Sequence, residues 1–421
     1  MDKLPGTRRK FLAWTNWILT AGGLAGQSRP LEAATAVHVE GEDYYEKLGV
    51  AKIINAAGTY TVLTASTMPP QVQAAVARAA KHPVRLLELQ KAAGEYLAKQ
   101  LHCEAAMVTA GASSALTLGM AGCLTVANKI GILQIPNNVG SMKSEVIIQK
   151  GHRYGYDHAL EVCGARFVEV ETMQQYEAAF NDRTVMTHFF NAAEHGQIGR
   201  EEWLRVAHSH GIPCFNDAAA DVPPISNLWK YTQMGFDIVT FSGGKGMRGP
   251  QNAGLLLGKK ELIEAAAKNN NPFDGVGRGM KVAKEQIVGM VAAVDWFLSQ
   301  SDDAMQAEFR KRAERIAAQL KKIPTIETKI VVPETAANAI PHLLVRYDQS
   351  RVKIAPRAAA EELRRGTPSI ELNPATGRKH GGGGGLPSDE NTIVVGVWML
   401  EPGEDLIVAR RLREVLAKAA A

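Results

Sequence analysis

The chain has 421 residues, of which 46% are hydrophobic and 22% are charged. This length and composition exclude a disordered chain and predict one large domain with a smaller one. The formal net charge is +5, but residues 1–36 carry +3 of it, so the remainder carries only +2. That balance argues against nucleic acid as a partner.

The N-terminal stretch TRRKFLAWTNWILTAGGLAG, residues 7–26, places Arg8 and Arg9 directly before a short, moderately apolar run. The small residues Ala34-Thr35-Ala36 offer a cleavage site, and the apolar run is too short and polar for a stable membrane span. We predict that residues 1–36 are a twin-arginine signal peptide, recognised by the Tat export machinery. The mature protein would then be periplasmic, without a membrane span. The alternative is a basic N-terminal tail.

From about Tyr44 onward, short β-rich runs alternate with helical segments, a pattern typical of a parallel sheet covered by helices on both faces. The predicted strands are Ala105–Thr109, Glu145–Gln149, Arg166–Glu171, Val185–Phe190, Ile212–Asn216, Ile238–Phe241 and Ala253–Leu257. The predicted helices include Leu89–His102, Ser113–Val126, Arg200–His210, Lys284–Ser299, Asp303–Lys322 and Asp405–Lys418. The predicted organisation is an N-terminal segment 37–74, a large domain 75–300 and a small C-terminal α+β domain 301–421.

Two further features have ordinary interpretations. The four cysteines, Cys103, Cys123, Cys163 and Cys214, lack C-x-x-C spacing, so they are interpreted as buried thiols rather than disulfides or metal ligands. The run HGGGGG, residues 380–385, is interpreted as a flexible loop. A phosphate-binding loop is the alternative for this run, but no helix start follows it.

In an open parallel sheet, ligands bind beyond the carboxyl ends of the strands. After the first predicted strand, Gly111 and Ala112 form a tight turn, and Ser113 opens a helix whose free N–H groups suit a phosphate. An ordinary helix cap at Ser113 is the alternative. His152 follows the second strand and is either a satisfied polar residue or a ring that stacks on a ligand.

Three more strands end in polar residues. Asn191 ends the fourth strand, and Asp217 ends the fifth, where a buried carboxylate requires a positively charged partner. The sixth strand leads through Ser242 and two glycines to Lys245. Glycines let the backbone approach a bound group closely, and a desolvated lysine is a nucleophile toward an aldehyde.

Pyridoxal phosphate requires all of these groups at once: a lysine, a carboxylate at its ring nitrogen, a phosphate site at a helix N-terminus and a stacking residue. The order of these residues along one sheet therefore predicts a pyridoxal phosphate site. Taken alone, Lys245 is equally compatible with an ordinary loop lysine.

The motifs KIINAAGTYT, VTAGASSALTLGMAGCL, GHRYGYDHAL, FNDAAADVPP, FSGGKGMRGPQNAGLLLG and GRGMKVAKEQIVGMVAA resemble the selenocysteine synthase-like (SelA-like) family of fold-type I pyridoxal phosphate enzymes. This family includes D-glucosaminate-6-phosphate ammonia-lyases. The resemblance runs from about residue 44 to the C-terminus and implies an α/β fold of type I, with a mostly parallel sheet in the large domain.

The resemblance implies a role for each strand-end residue. Lys245 forms the Schiff base, Asp217 holds the pyridine nitrogen, and His152 stacks on the ring. Asn191 contacts the phenolic oxygen, while the phosphate is bound at a group of residues that comprises Gly111, Ala112, Ser113 and Ser242.

In related folds, a residue about thirty positions after the lysine reaches the phosphate of the neighbouring subunit. Here that region holds Arg278 and Lys281, so we expect a homodimer or larger homo-oligomer. The alternative is that both cations only cap the following helix.

We expect a small-molecule amino substrate, because the extra N-terminal domain of tRNA-dependent relatives is replaced by a predicted export signal. The expected reaction is α-proton removal by Lys245, with Asp217 supporting the ring as electron sink, then β-elimination and ammonia release. A transferase acting by β-replacement or transamination, and a racemase, remain alternatives, as does a catalytically silent binding protein. The stretch VVGVWMLEPGED lacks the late arginine of many relatives, so the substrate carboxylate has no predicted partner.

Overall fold

The computed structural model describes residues 41–193, 198–333, 338–379, 386 and 389–420. The predicted signal peptide and the glycine run 380–385 lie outside these residues. The chain divides after Ala51. The described part of the first unit holds one short helix, α1 (Tyr44–Lys47), and the second unit, from Lys52, holds all other elements described below.

The strands are β1 (Ile53–Ala56), β2 (Ala105–Thr109), β3 (Glu145–Gln149), β4 (Arg166–Val170), β5 (Thr184–Phe190), β6 (Cys214–Asp217), β7 (Ile238–Ser242), β8 (Gly254–Gly258), β9 (Glu327–Val331), β10 (His342–Arg346), β11 (Ser369–Leu372) and β12 (Ile393–Gly396). The helices after α1 are α2 (Pro70–Ala80), α3 (Leu86–Gln100), α4 (Ala112–Asn128), α5 (His158–Glu161), α6 (Met173–Ala179), α7 (Arg200–Ser209), α8 (Asn227–Met234), α9 (Lys260–Asn269), α10 (Lys284–Leu298), α11 (Asp302–Leu320), α12 (Pro356–Arg364) and α13 (Glu404–Ala420).

Seven strands form one sheet in the order β2-β8-β7-β6-β5-β3-β4. All neighbouring pairs are parallel except those of β8, which is antiparallel to both β2 and β7. The seven strands predicted from the sequence all form, and their ends lie within two residues of the predicted ones. The prediction of a mostly parallel α/β sheet is therefore confirmed.

Helix α4 packs closely on the sheet and on helix α9 because a glycine lies at each contact. A Cβ on Gly119 would lie 2.4 Å from the ring of Phe215 in β6, and one on Gly122 would lie 2.8 Å from the carbonyl oxygen of Leu262 in α9. Most of the helix is buried between these neighbours. Its N-terminus is thereby fixed at the edge of the sheet where β2 ends.

The C-terminal part contains a three-stranded antiparallel sheet in the order β12-β10-β9. Strand β1 pairs in parallel with β11, with Ile53 opposite Ser369. One core therefore joins Ile54 of β1 to residues of β10 and α13 such as Leu343 and Leu412. The predicted domain boundaries at residues 74 and 300 stay a prediction.

Among the described residues, no helix combines the length and apolar character needed to cross a membrane. The four cysteines are free thiols. Cys123, Cys163 and Cys214 are buried, as predicted, whereas Cys103 is only half-buried.

Candidate active site

The strand register brings the predicted site residues to one edge of the large sheet. Phe190, the last residue of β5, lies opposite Asp217 in β6, and Asp217 lies opposite Thr240 in β7. Further along, Ser242 of β7 lies opposite Gly254 of β8, which in turn lies opposite Thr109 of β2. Since β2 leads into Gly111 and β7 leads into Lys245, residues far apart in the sequence meet at this edge.

Asp217 is a buried carboxylate, with 3% of its surface exposed. Its Oδ1 accepts the backbone N–H of Ala219 at 2.9 Å, and its Oδ2 accepts the hydroxyl of Tyr154 at 2.5 Å. Burial raises the pKa of Asp217, whereas these two hydrogen bonds and the charge of Lys245 lower it. The fold therefore holds a carboxylate whose ionisation depends on neighbouring donors and on one nearby cation.

Lys245 follows β7 in a loop with closely approaching backbone. A Cβ on Gly244 would lie 2.5 Å from Cα of Gln251, and one on Gly246 would lie 2.1 Å from the carbonyl oxygen of Val222. Burial lowers the pKa of Lys245, while the charges of Asp217 and Asp221 act in the opposite direction. In the described part of the chain, Lys245 Nζ forms no hydrogen bond and no ion pair, so this amine is available to a ligand.

Lys245 lines a cavity of about 330 Å³. The cavity wall is mainly aromatic and neutral polar; it includes Tyr60, Tyr156, Phe190, Asn373 and Trp398. Among the described lining residues, Lys245 is the only lysine or arginine, and there is no aspartate or glutamate. His342 also lines the cavity, but burial lowers its pKa to about 4, so its imidazole is neutral at pH 7.

The predicted phosphate site lies at the N-terminus of α4. Gly111 precedes the helix with φ of +87°, a conformation that glycine adopts without strain. A Cβ on Gly254 would lie 2.8 Å from the nitrogen of Ala112, so β8 passes close to this turn. The hydroxyl of Ser114 is buried and has no hydrogen-bond partner among the described residues. A buried hydroxyl without a partner at a helix N-terminus suits an anion.

His152 is buried beside the sheet edge, where its ring packs perpendicular to that of Phe189, with centroids 4.5 Å apart. Its Nδ1 accepts the backbone N–H of Phe190 at 3.2 Å. Burial is the larger cause, and the charge of Arg200 the smaller one, of a pKa of His152 lowered to about 4, so the ring is neutral at pH 7. His152 does not line the cavity, and its predicted stacking role stays a prediction.

Asn191 belongs to a buried polar network. Its Nδ2 donates to Oδ2 of Asp221 at 2.8 Å, and its Oδ1 accepts Arg200 Nε at 2.9 Å and Asn216 Nδ2 at 3.2 Å. Tyr231 donates to the same Oδ2 of Asp221 at 2.7 Å. One N–H of the Asn191 amide remains for another acceptor. Contact with a phenolic oxygen stays a prediction for this residue.

Comparison with known proteins relates this site to one family. Residues 53–369 match the family model described as L-seryl-tRNA selenium transferase (SelA). The chain belongs to the SelA family. Its members are enzymes, and the family and its structural neighbours depend on pyridoxal phosphate.

Individual relatives carry the names of different activities. The D-glucosaminate-6-phosphate ammonia lyase of Salmonella typhimurium is 28% identical over 393 residues, covering 89% of this chain and 98% of that protein. A 5'-C-glycyluridine monooxygenase-decarboxylase of a Streptomyces species is 28% identical over 342 residues, covering 78% of this chain and 83% of that protein. A solved structure of D-glucosaminate-6-phosphate ammonia-lyase superposes with a TM-score of 0.76 at 26% identity, covering 90% of this chain and all of that one. The predicted family and fold type I are confirmed.

Within this SelA-family chain, the two predicted intersubunit cations lie away from the cavity. Arg278 is exposed and forms an ion pair with Asp274 at 3.6 Å, and Lys281 is exposed as well. The backbone just before Arg278 packs tightly against helix α4, since a Cβ on Gly277 would lie only 2.6 Å from a methyl group of Leu118. Their reach to the phosphate of a second subunit stays a prediction.

The structure adds residues to the SelA-family site that were not selected from the sequence. Tyr154 contacts Asp217, and Asp221 contacts Asn191. Both lie in motifs that were recognised, two residues after His152 and four after Asp217, so proximity along the chain was an available signal. Tyr60, Asn373 and Trp398 line the cavity from distant parts of the sequence. Tyr60 lies in the recognised motif KIINAAGTYT and Trp398 in the stretch VVGVWMLEPGED, but neither pattern indicated a cavity, and Asn373 lies in no recognised motif.

Proposed function

We propose that this protein is a pyridoxal phosphate-dependent lyase that acts on an amino acid or amino-sugar acid and releases ammonia by β-elimination. The observation that carries the proposal is the placement of Asp217 at the end of β6 and of Lys245 three residues after the neighbouring strand β7, in one buried site. The family supports it, since one relative and one solved structure carry the name of an ammonia-lyase that acts on D-glucosaminate-6-phosphate.

The described residues fit pyridoxal phosphate in three respects. Lys245 presents an amine without a described partner beside the cavity. Ser114 presents a buried, unpaired hydroxyl at a helix N-terminus, next to the turn at Gly111. Asp217 presents a buried acceptor that already interacts with the charge of Lys245. Lys245 would hold the aldehyde carbon, Asp217 the ring nitrogen, and the start of α4 the phosphate. Ser242 lies across β8 from this helix start and would contribute to the phosphate site.

When bound, pyridoxal phosphate supplies an aldehyde for the substrate amine and a ring that withdraws electrons from the α-carbon. Lys245 Nζ removes the α-proton, a role that requires the neutral amine. Burial favours this neutral form because it lowers the pKa of Lys245. The protonated Lys245 then donates this proton to the departing β-substituent, which leaves with the electrons of its bond to the β-carbon. Water hydrolyses the released enamine, by way of its imine, to ammonia and the 2-oxo acid.

Asp217 holds a proton at the ring nitrogen, and its two donors, Tyr154 and Ala219, keep its carboxylate in place. The aromatic residues of the cavity wall exclude water from the reacting carbon. Of the polar wall groups, Tyr60 accepts a hydrogen bond from Asn373 Nδ2 at 3.3 Å and keeps its own hydroxyl hydrogen for a hydroxylated substrate.

Activity is tested by incubating purified protein with a panel of amino acids and 2-amino-2-deoxyaldonic acids. Ammonia and 2-oxo acid are measured in the same samples. β-Elimination predicts that both form in equal amounts with at least one substrate. Lys245→Ala should abolish both products, whereas Lys418→Ala, at an exposed lysine of α13, should not. Release of neither product from any substrate would contradict the lyase proposal.

A transferase is the second candidate, because the family model itself is described as a selenium transferase. β-Replacement would require an added nucleophile, and transamination would require an amino acceptor. Either activity would consume substrate only in the presence of that second reactant. The same assay, repeated with thiols and with 2-oxo acids added, therefore distinguishes the two candidates.

The proposal extends to location and assembly. Arg8 and Arg9 support export of the loaded, folded enzyme by the twin-arginine route to the periplasm, since that route carries folded proteins. Arg278 and Lys281 support a homo-oligomer in which one subunit contacts the phosphate bound by another. Both statements rest on sequence patterns and are tested separately below.

A further inference from the structure

Tyr154 extends from the loop after β3 toward the end of β6. Its ring stacks on Phe190, with centroids 3.9 Å apart and planes within 10° of parallel. Phe190 ends β5 and lies opposite Asp217 in the sheet register. The stacked rings therefore fix the phenol beside the buried carboxylate, independently of any hydrogen bond.

The hydroxyl of Tyr154 joins two buried residues. Its oxygen lies 2.5 Å from Oδ2 of Asp217 and 3.2 Å from Nε2 of His188. A carboxylate only accepts, so the single phenolic hydrogen is assigned to the bond with Asp217. His188 Nε2–H then donates to the Tyr154 oxygen, which leaves Nδ1 as the unprotonated nitrogen. This Nδ1 is buried without a partner among the described residues. The two hydrogen bonds therefore run in one direction: His188 donates to Tyr154, and Tyr154 donates to Asp217.

The short distance to Asp217 is typical of a hydroxyl that donates to an ionised carboxylate. Burial raises the pKa of Asp217, and the hydrogen bond from Tyr154 is the largest of the effects that lower it, ahead of Ala219 N–H and the charge of Lys245. His188 carries no charge at neutral pH, because burial lowers its pKa to about 3. Tyr154 stays protonated, since burial and the charge of Asp217 raise its pKa.

Other titratable groups surround the hydrogen-bonded residues His188, Tyr154 and Asp217. Lys245 after β7 and Asp221 after β6 interact electrostatically with Asp217. Asp157 and Tyr156 interact with Tyr154, and Asp157 and His152 interact with His188. None of these five groups donates a described hydrogen bond to Asp217, so Tyr154 is the one side chain that does so in the described structure.

We propose that Tyr154, supported by His188, is a positioning residue that keeps Asp217 ionised and fixes its carboxylate for the ring nitrogen of pyridoxal phosphate. This inference rests on the proposed cofactor site and goes beyond it, because it assigns control of the ring-nitrogen partner to a second residue. Tyr154 itself takes no part in bond making or breaking.

Binding of pyridoxine 5'-phosphate to the cofactor-stripped, full-length protein tests this role, since that alcohol cannot react with Lys245. The complex holds one proton between Asp217 and the ring nitrogen. Below the pKa of Asp217 in the free protein, the separated partners hold two protons, so affinity falls as pH decreases. Loss of the Tyr154 donor raises this pKa and moves the acidic decline to higher pH.

Tyr154→Phe keeps the stacked ring and removes only the hydroxyl. We expect its affinity to be about tenfold below wild type on the acidic limb, equal to a displacement of about one pH unit, and within about twofold at pH 8. Tryptophan fluorescence follows binding between pH 5 and 8.5. Tyr96→Phe is the matched control, because Tyr96 donates to Asp295 at 2.8 Å in an exposed pair remote from this site. Its curve should coincide with wild type.

Asp217→Asn supplies the decisive comparison, because an amide does not titrate. In that background, adding Tyr154→Phe should no longer displace the acidic limb. An equal displacement with and without Asp217, or no displacement in Tyr154→Phe alone, would overturn the inference while leaving the cofactor proposal intact. Failure of the wild-type protein to bind pyridoxine 5'-phosphate at any pH would overturn both.

Discussion

Asn191 donates from Nδ2 to Oδ2 of Asp221 at 2.8 Å, and both side chains are almost completely buried. The other oxygen of Asp221 has no hydrogen-bond partner among the described residues. A second buried carboxylate thus lies four residues after Asp217, linked to the amide of Asn191, which directly follows β5. Burial raises the pKa of Asp221 to about 7, despite the bonds from Tyr231 and Asn191.

This carboxylate gives the protein a distinct pH dependence of stability. The folded protein retains the Asp221 proton up to about pH 7, whereas the unfolded chain loses it near pH 4. The contribution to the free energy of unfolding therefore decreases as pH rises from 4 to 7. Asp221→Asn removes this slope, so the variant should gain on the order of 2 kcal/mol relative to wild type between pH 5 and pH 8.

Urea unfolding at the two pH values measures the difference, with exposed Asp274→Asn as the control. A constant difference between Asp221→Asn and wild type at pH 5 and pH 8 would show that Asp221 is ionised throughout this range.

Lys245 should be the attachment point of the cofactor. We expect the purified protein to be yellow, and borohydride reduction followed by peptide mass spectrometry should place the pyridoxyl label on the peptide that contains Lys245. Lys245→Ala should give no covalent label, while Lys418→Ala should be labelled as wild type. A label on any other lysine would refute the assignment.

Asp217→Asn should separate binding from turnover. The substitution keeps size but cannot hold the ring nitrogen protonated, so cofactor should still bind while kcat falls roughly 10²- to 10³-fold. Absorbance of the bound cofactor measures occupancy, and steady-state kinetics on the substrate found in the screen measure kcat. Wild-type turnover at full occupancy would remove Asp217 from the mechanism.

Arg278 and Lys281 should link cofactor binding to assembly. If they contact the phosphate of a second subunit, dilution should lower oligomer size, cofactor occupancy and activity together. The pair Arg278→Ala with Lys281→Ala should weaken cofactor binding, whereas Lys321→Ala with Lys322→Ala, which removes the same charge from another exposed site, should not. Light scattering that shows an active, cofactor-replete monomer would contradict this prediction.

Arg8→Lys with Arg9→Lys should stop export without changing the charge of the N-terminus. The twin-arginine route carries folded proteins, which suits an enzyme loaded with its cofactor in the cytoplasm. We expect active enzyme to accumulate in the cytoplasm with its N-terminus intact, while Arg29→Lys is exported normally. Cell fractionation with unchanged periplasmic activity in the double variant would count against the signal, but not against the chemistry at Lys245.

The sequence alone determined the seven strands of the large sheet and the residues at their ends. Strand patterns depend on neighbours along the chain, and the rule that ligands bind at carboxyl ends of parallel strands selected Asp217, Lys245 and the turn at Gly111. An apolar run that ends in a charged or glycine-rich segment can be recognised from the sequence alone. Burying a charged group is unfavourable unless a partner compensates, so such an end indicates a binding site.

Only the tertiary structure decided what surrounds these residues. Tyr154 reaches Asp217 because parallel pairing places the ends of β3, β5 and β6 at one edge, and Tyr60 and Asn373 meet at the cavity because β1 pairs with β11, more than 300 residues later. Such long-range pairings depend on the packing of the complete core. A local sequence pattern carries no signal for them, which is why the cavity wall could not be read from the sequence.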